Sequence, residues 1–141
     1  MNRLIRGIRQ INNLSKSKNI LKQYNSDDWK KYVEFNEENY KKNLFYRDRD
    51  YEMFIVCWNP LQETKIHNHS DKGCILKILE GNIEEKLYDD NFNLIEQCIL
   101  GENDIRYIDD NLGIHKMING KEKCISLHIY SPPHFNPRIL K

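Results

Sequence analysis

The sequence contains no run approaching the roughly 20 consecutive apolar residues that a bilayer-spanning helix requires, and no signal-like apolar segment opens it. A soluble protein without membrane partners is expected. Neither sign of charge is in excess, because 22 Lys and Arg stand against 21 Asp and Glu, a formal net charge of +1. No global field draws the chain to nucleic acid, so small-molecule chemistry becomes the leading functional class. The four cysteines, Cys57, Cys74, Cys98 and Cys124, form no C-x-x-C pair, and secretory features are missing. Reduced thiols and a cytoplasmic location follow. There is no internal repeat and no low-complexity tract. A length of 141 residues suits a single domain over 1–141, enough chain for one core and too little for two.

Acidic residues are missing before Asp27, while Arg3, Arg6, Arg9, Lys16, Lys18 and Lys22 are interspersed with Leu and Ile. Organellar transit peptides share this composition. Amphipathic helices docked on a domain share it too, and Leu4, Ile8, Ile11 and Leu14, three or four apart, lay down one apolar stripe that favours docking. Ser26 is positioned to cap a second helix over "DDWKKYVEFNEEN", with two aspartates in its first turn and Trp29, Tyr32 and Val33 on one face. These define a helical N-terminal segment over 1–40. From Tyr51 the texture changes to short runs rich in Ile, Val, Phe and Tyr: "EMFIVCW", "CILKILEG", "NIEEKLYD", "NLIEQCIL", "DIRYI" and "KCISLHIY". Turn-forming clusters separate them, and no helical pattern intervenes. A mainly β antiparallel sandwich or small barrel over 41–135 is expected.

The segment "IHNHSDKGC" sets His67 and His69 one residue apart, with Cys74 five residues further on. On a strand, residues two apart project to the same face, a geometry that suits chelation. An isolated H-x-H fits a polar strand end better than a metal site. Further chemistry comes from "CISLHIY", where alternation gives one face to Cys124, Ser126, His128 and Tyr130 and the other to Ile125, Leu127 and Ile129. A hydroxyl, an imidazole and a phenol in one row require partners if buried, which suits an internal polar pocket; an exposed sheet face would also accommodate them. His115, between two turn signals in "GIHKMING", is a third available imidazole, and His134 in the tail-like "PPHF" is a competing one. Three neutral imidazoles satisfy zinc, iron, copper or nickel and leave positions open for water or substrate. With no carboxylate in the set, the ion keeps its double charge and favours an anionic sulfur or oxygen ligand.

The stretches "CWNPLQETKIHNHSDKGCILKILEGNIEEKLY", "YIDDNLGIHKMIN" and "ISLHIYSPP" together resemble the cysteine dioxygenase family of the cupin superfamily, over about Tyr40 to Pro133. The resemblance implies a cupin-type antiparallel β-barrel, or jelly-roll, preceded by one or two short helices. It further implies Fe(2+) held by His67, His69 and His115, with Cys74 standing where the general cupin pattern has a glutamate ligand. Cys74 and Tyr130 match a pair that a thioether joins in some members, and Ser126, His128 and Tyr130 match a hydrogen-bonded chain beside the metal. Ser131-Pro132 matches a cis peptide bond.

Tyr40, Lys42 and Trp58 match substrate-binding positions, with one departure. The family's carboxylate-binding arginine lies in a Y-x-R-N segment, and "YKKN" puts Lys42 in its place. Lysine pairs with a carboxylate as a point charge and lacks the bidentate fork of arginine. Arg47 and Arg49 are nearby alternatives. Leu61 replaces a glycine of the cupin pattern, so an altered turn is expected there, and the little chain after "SPPHF" implies that part of the pocket's C-terminal cover is missing. The activity implied is oxidation of L-cysteine by dioxygen to cysteine sulfinic acid, by a monomer. Competing expectations are a dioxygenase for another small thiol such as 3-mercaptopropionate, a three-histidine zinc hydrolase, and a non-catalytic cupin that binds a metal or ligand as a sensor.

Overall fold

Turn-forming residues cut the apolar stretches into strands of four to seven residues. The computed structural model describes residues 1–134, in which α1 (Asn2–Ile11) and α2 (Lys18–Gln23) precede eight strands: β1 (Lys41–Arg47), β2 (Glu52–Trp58), β3 (Cys74–Glu80), β4 (Ile83–Tyr88), β5 (Leu94–Leu100), β6 (Ile105–Ile108), β7 (Ile114–Asn119) and β8 (Cys124–Tyr130). The chain after His134, where the expected barrel end and the shortened cover fall, lies outside the described residues. Every strand pairing is antiparallel, giving a five-stranded sheet in the order β1-β2-β8-β3-β6 and a three-stranded sheet in the order β5-β4-β7. The expected mainly β architecture behind short N-terminal helices is present. Among the described residues, no helix is long and apolar enough to cross a membrane.

The central strands are buried on both faces, and alternation sends their side chains into two separate cores. Met53, Ile55, Cys57, Ile75, Leu127 and Ile129 face outward onto the N-terminal helices, where Leu4, Ile8, Leu14 and Leu21 cover them. Phe54, Val56, Trp58, Leu76, Ile78 and Cys124 face inward with Ile83 and Met117 of the smaller sheet. Each fully buried Leu or Ile contributes about 1.5–3 kcal/mol, so the helices are held on by the sheet face they cover.

The N-terminal stripe is shorter than expected. Asn12 adopts a left-handed φ of 51° and ends α1, its N–H bonding to Ile8 O. This leaves Ile11 exposed, while Leu14 is buried from a separate 3-10 turn. The helix expected after Ser26 is only a 3-10 turn over Asp28–Tyr32. Ser26 Oγ does accept from Asp28 N–H at 3.2 Å, but Asn36 Oδ1 accepts from the N–H groups of Glu38 and Asn39 at 2.8 and 3.3 Å. That side chain offers the backbone a turn in competition with the helical ladder. Two further strands emerge, β1 and β7, neither with a clean apolar alternation.

Leu61 adopts a left-handed backbone of the kind that favours glycine. Its φ is 66°, and its N–H bonds to Gly120 O at 2.8 Å. The altered turn expected from this substitution is therefore not a retreat to right-handed backbone. The Ser131-Pro132 bond is cis, as the resemblance implied.

Candidate metal centre

His67 and His69 lie in the extended connection between β2 and β3, outside any named strand. His67 makes a single antiparallel bridge with His115 of β7, through His67 N–H to His115 O at 3.0 Å and His115 N–H to His67 O at 3.2 Å. The strand expected beneath the H-x-H is thus reduced to one bridge, while His115, between its two turn signals, lies on β7. The convergence expected of the three imidazoles nevertheless forms: among the described residues, His67, His69 and His115 make a cluster whose ligand atoms all lie within 4.8 Å of one another. His134 is not part of it.

Each ring is held through its Nδ1. His67 Nδ1 lies 2.7 Å from Lys65 O, His69 Nδ1 3.1 Å from Asp110 Oδ1, and His115 Nδ1 2.8 Å from Glu85 Oε2. A carbonyl or an ionised carboxylate only accepts, so the proton of each neutral ring belongs on Nδ1 and the lone pair on Nε2. Burial is the first cause that lowers the proton affinity of all three rings, taking His69 down to about 3 with help from the nearby His115 and His67. Neutral ligands result.

Those lone pairs converge without partners. The Nε2 atoms of His67 and His115 are 3.1 Å apart, and His69 Nε2 is buried with no hydrogen-bond partner. Two acceptors at that separation repel, and an unpaired buried nitrogen is costly, unless a cation sits among them. The donor set therefore fits a divalent metal ion, with Nδ1 partners that orient each ligand.

A cavity of about 600 Å³ opens from the histidines. Trp58, His128 and Tyr130 line it, and Trp58 Nε1–H donates to Ser126 Oγ at 3.0 Å, Ser126 Oγ lies 2.8 Å from His128 Nε2, and His128 Nδ1 lies 3.2 Å from the Tyr130 hydroxyl. The row expected from alternation on β8 is thus a continuous chain. Burial first, then the charge of Lys42, holds His128 neutral, so one ring nitrogen donates and the other accepts. Tyr130 is the direct register partner of Cys74 across β8 and β3, and both side chains line the cavity. Burial pushes the Cys74 thiol up to about 12 and the Tyr130 phenol well above its ordinary value.

Lys42, on β1, lines the same cavity, as do Tyr40 and Trp58, whose rings stack at 4.7 Å. The Lys42 Nζ stands 4.4 Å from the Tyr130 ring centre and 4.7 Å from that of Phe54. It retains accessible surface toward the cavity, yet enclosure by protein lowers its pKa, an effect that Cys74 and Glu52 oppose. Among the described residues it forms no ion pair. The two arginine alternatives do not reach the cavity lining. Arg47 is committed to Glu52, with Nε and Nη2 at 3.1 and 2.9 Å from one carboxylate oxygen.

Sequence reasoning missed Asp110 and Glu85. Asp110 gave no signal in the pattern, being one of two aspartates in a turn. Glu85 did: β4 alternates buried and partly buried positions, and Glu85 occupies the inward phase between Ile83 and Leu87. A carboxylate in that phase requires a buried partner.

Comparison with known proteins agrees with this geometry. A cupin superfamily protein from Desulfitobacterium hafniense matches with a TM-score of 0.58 at 14% identity, covering 70% of this chain and 83% of that one. A Klebsiella pneumoniae protein with a double-stranded β-helix domain matches with a TM-score of 0.68 at 16% identity, covering 83% of this chain and 92% of that one. At such identities the likeness establishes the cupin fold. The chain is also 33% identical to cysteine dioxygenase type 1 of Danio rerio over 133 residues and to that of Homo sapiens over 132, in each case 86% of this chain. It spans 66% of the length of these relatives. The family model of cysteine dioxygenase type I matches residues 3–139, and with it the chain belongs to the cysteine dioxygenase type I family.

Proposed function

We propose that this protein is a thiol dioxygenase that converts L-cysteine and dioxygen to cysteine sulfinic acid at iron(II) held by His67, His69 and His115. The carrying observation is the convergence of three Nδ1-anchored imidazoles whose Nε2 atoms have no protein hydrogen to accept. Iron bound there would supply coordination of the substrate thiolate and the redox reactivity that couples it to dioxygen. Both oxygen atoms end on sulfur, so thiol plus dioxygen balances sulfinic acid without a further reductant.

The side chains around the cavity account for the rest. Three neutral histidines leave the ion's double charge intact, which favours an anionic thiolate. Lys42 would pair with the substrate carboxylate, its ammonium steadied over the Tyr130 and Phe54 rings. Tyr130, held by His128 and Ser126, presents its hydroxyl to the reacting group, and a thioether to Cys74 would fix it there. Because neutral His128 donates from one nitrogen only, the chain fixes whether Tyr130 donates to it or accepts from it. Val56 and Met117 supply apolar wall that limits water in the cavity.

Lys42 also supports a second substrate. A point charge constrains carboxylate orientation less than a fork does, so an amine-free thiol such as 3-mercaptopropionate could be accepted. Oxygen uptake by anaerobically iron-loaded protein, with products identified by mass spectrometry, separates the two. Preferred formation of cysteine sulfinate supports the first substrate, and preference for the amine-free thiol assigns the second. Absence of uptake with either would overturn thiol dioxygenation and return the site to zinc hydrolysis or ligand sensing.

A further inference from the structure

The strongest buried charge arrangement outside the cavity lies behind His115. Glu85 has a fully buried side chain, with one carboxylate oxygen 2.8 Å from His115 Nδ1 and the other 2.6 Å from Arg106 Nε. Arg106 continues to Glu96, Nη2 to Oε1 at 2.9 Å. The connection crosses the fold: His115 is on β7, Glu85 on β4 and Glu96 on β5 of the small sheet, whereas Arg106 is on β6 of the large one. Arg106 takes an inward register, opposite Leu76 of β3. A guanidinium in that phase requires a buried acceptor, and Glu85 provides it.

The three Nδ1 acceptors differ in kind. His67 bonds a neutral carbonyl, and His69 bonds a half-exposed aspartate that water also reaches. Only Glu85 combines full burial, a carboxylate and a cation of its own. A carboxylate accepting the Nδ1 proton shifts electron density toward Nε2 and makes the ring a stronger ligand. Arg106 opposes the effect of burial on the Glu85 carboxylate, and Glu96 gives the guanidinium a second anchor.

We infer that Glu85 is a positioning residue that sets the donor strength and ring orientation of His115, and that Arg106 acts through Glu85 as the counter-charge that keeps it effective. The inference rests on the three-histidine metal reading above. Metal affinity at the cavity then depends on an ion pair outside the cavity that bridges the two sheets.

Cobalt(II) titration of metal-free protein tests it, with visible absorption reporting the ligand field and a competing chelator reporting affinity. Wild type is expected to bind one cobalt per chain. Glu85→Gln should bind about 10–100-fold more weakly, with a shifted spectrum. Arg106→Gln, at a partly exposed position that keeps the core filled, should weaken binding in the same direction by about tenfold or less. Adding Arg106→Gln to Glu85→Gln should produce no further loss, because the arginine acts only through the carboxylate. Unchanged affinity in both single variants, or losses that simply multiply in the double variant, would overturn the inference while leaving the metal centre intact. A wild-type chain that binds no cobalt would overturn the metal centre and this inference together.

Discussion

Cys74 and Tyr130 are directly opposed across the β3–β8 ladder, and both line the cavity that His67, His69 and His115 share. Register rather than sequence proximity produces this pair, since antiparallel pairing sets face to face two residues that lie far apart in the sequence. Joining them by a thioether removes two hydrogen atoms, with dioxygen as oxidant. Intact-mass measurement after turnover should show a population lighter by two hydrogens, which Cys74→Ser abolishes. A persistent mass loss in that variant would assign the modification elsewhere.

Tyr130→Phe keeps the ring against Phe54 and removes the hydroxyl. Turnover should fall by about 100–1000-fold, with iron content near that of wild type. Loss of iron from the variant would make Tyr130 a ligand and contradict the three-histidine centre.

Lys42→Met should lower kcat/KM for cysteine by about 10–100-fold, the size expected for a lost charge-assisted hydrogen bond, with little change for a small thiol that has no carboxylate. Lys42→Arg should retain or improve selectivity for cysteine. Equal losses with both thiols would show that Lys42 shapes the cavity without reading the carboxylate.

Lys77 provides a stability test away from the site. Its buried ammonium donates to Leu21 O and Tyr24 O at 2.8 and 2.7 Å, holding the end of α2 on the sheet. Lys77→Met should cost about 1–3 kcal/mol at neutral pH by leaving those carbonyls unpaired. Burial lowers the Lys77 pKa below its ordinary 10.5. The unfolded chain then binds more protons than the folded one between the lowered value and 10.5, so stability rises with pH across that alkaline window. The difference between wild type and Lys77→Met should widen in favour of wild type there, and a pH-independent difference would contradict the assignment.

Leu61→Gly removes the left-handed strain of a side chain that is 71% exposed and so loses little burial. A gain of about 0.5–1 kcal/mol is expected after the added freedom of the unfolded glycine is counted. Destabilisation in a denaturant melt would show that Leu61 makes contacts worth more than its backbone costs.

The parts of the fold that rest on period-two alternation were readable in advance. On β8 the pattern alone put Ser126, His128 and Tyr130 in one row, where the chain of hydrogen bonds now runs. On β7 it failed, because inward His115 and Asn119 break the apolar phase, and β1 carries charge along an exposed edge. The first two histidines were legible as a motif and their local structure was not, since one bridge to His115 stands in for a strand. The helix expected after Ser26 gave way to the Asn36 turn, a tertiary and side-chain preference that helical propensity does not encode. Lys42 was found by its place in a motif, whereas its position over two aromatic rings depends on the β1–β2 register.

The central claim is most directly tested by supplying isotopically labelled dioxygen to the iron-loaded protein with L-cysteine and weighing the sulfinate formed. Product in which both sulfinate oxygens carry the label is expected, with loss of that product in His69→Ala. Product with one labelled oxygen or none, or labelled product that survives His69→Ala, would contradict dioxygenation at the three-histidine centre.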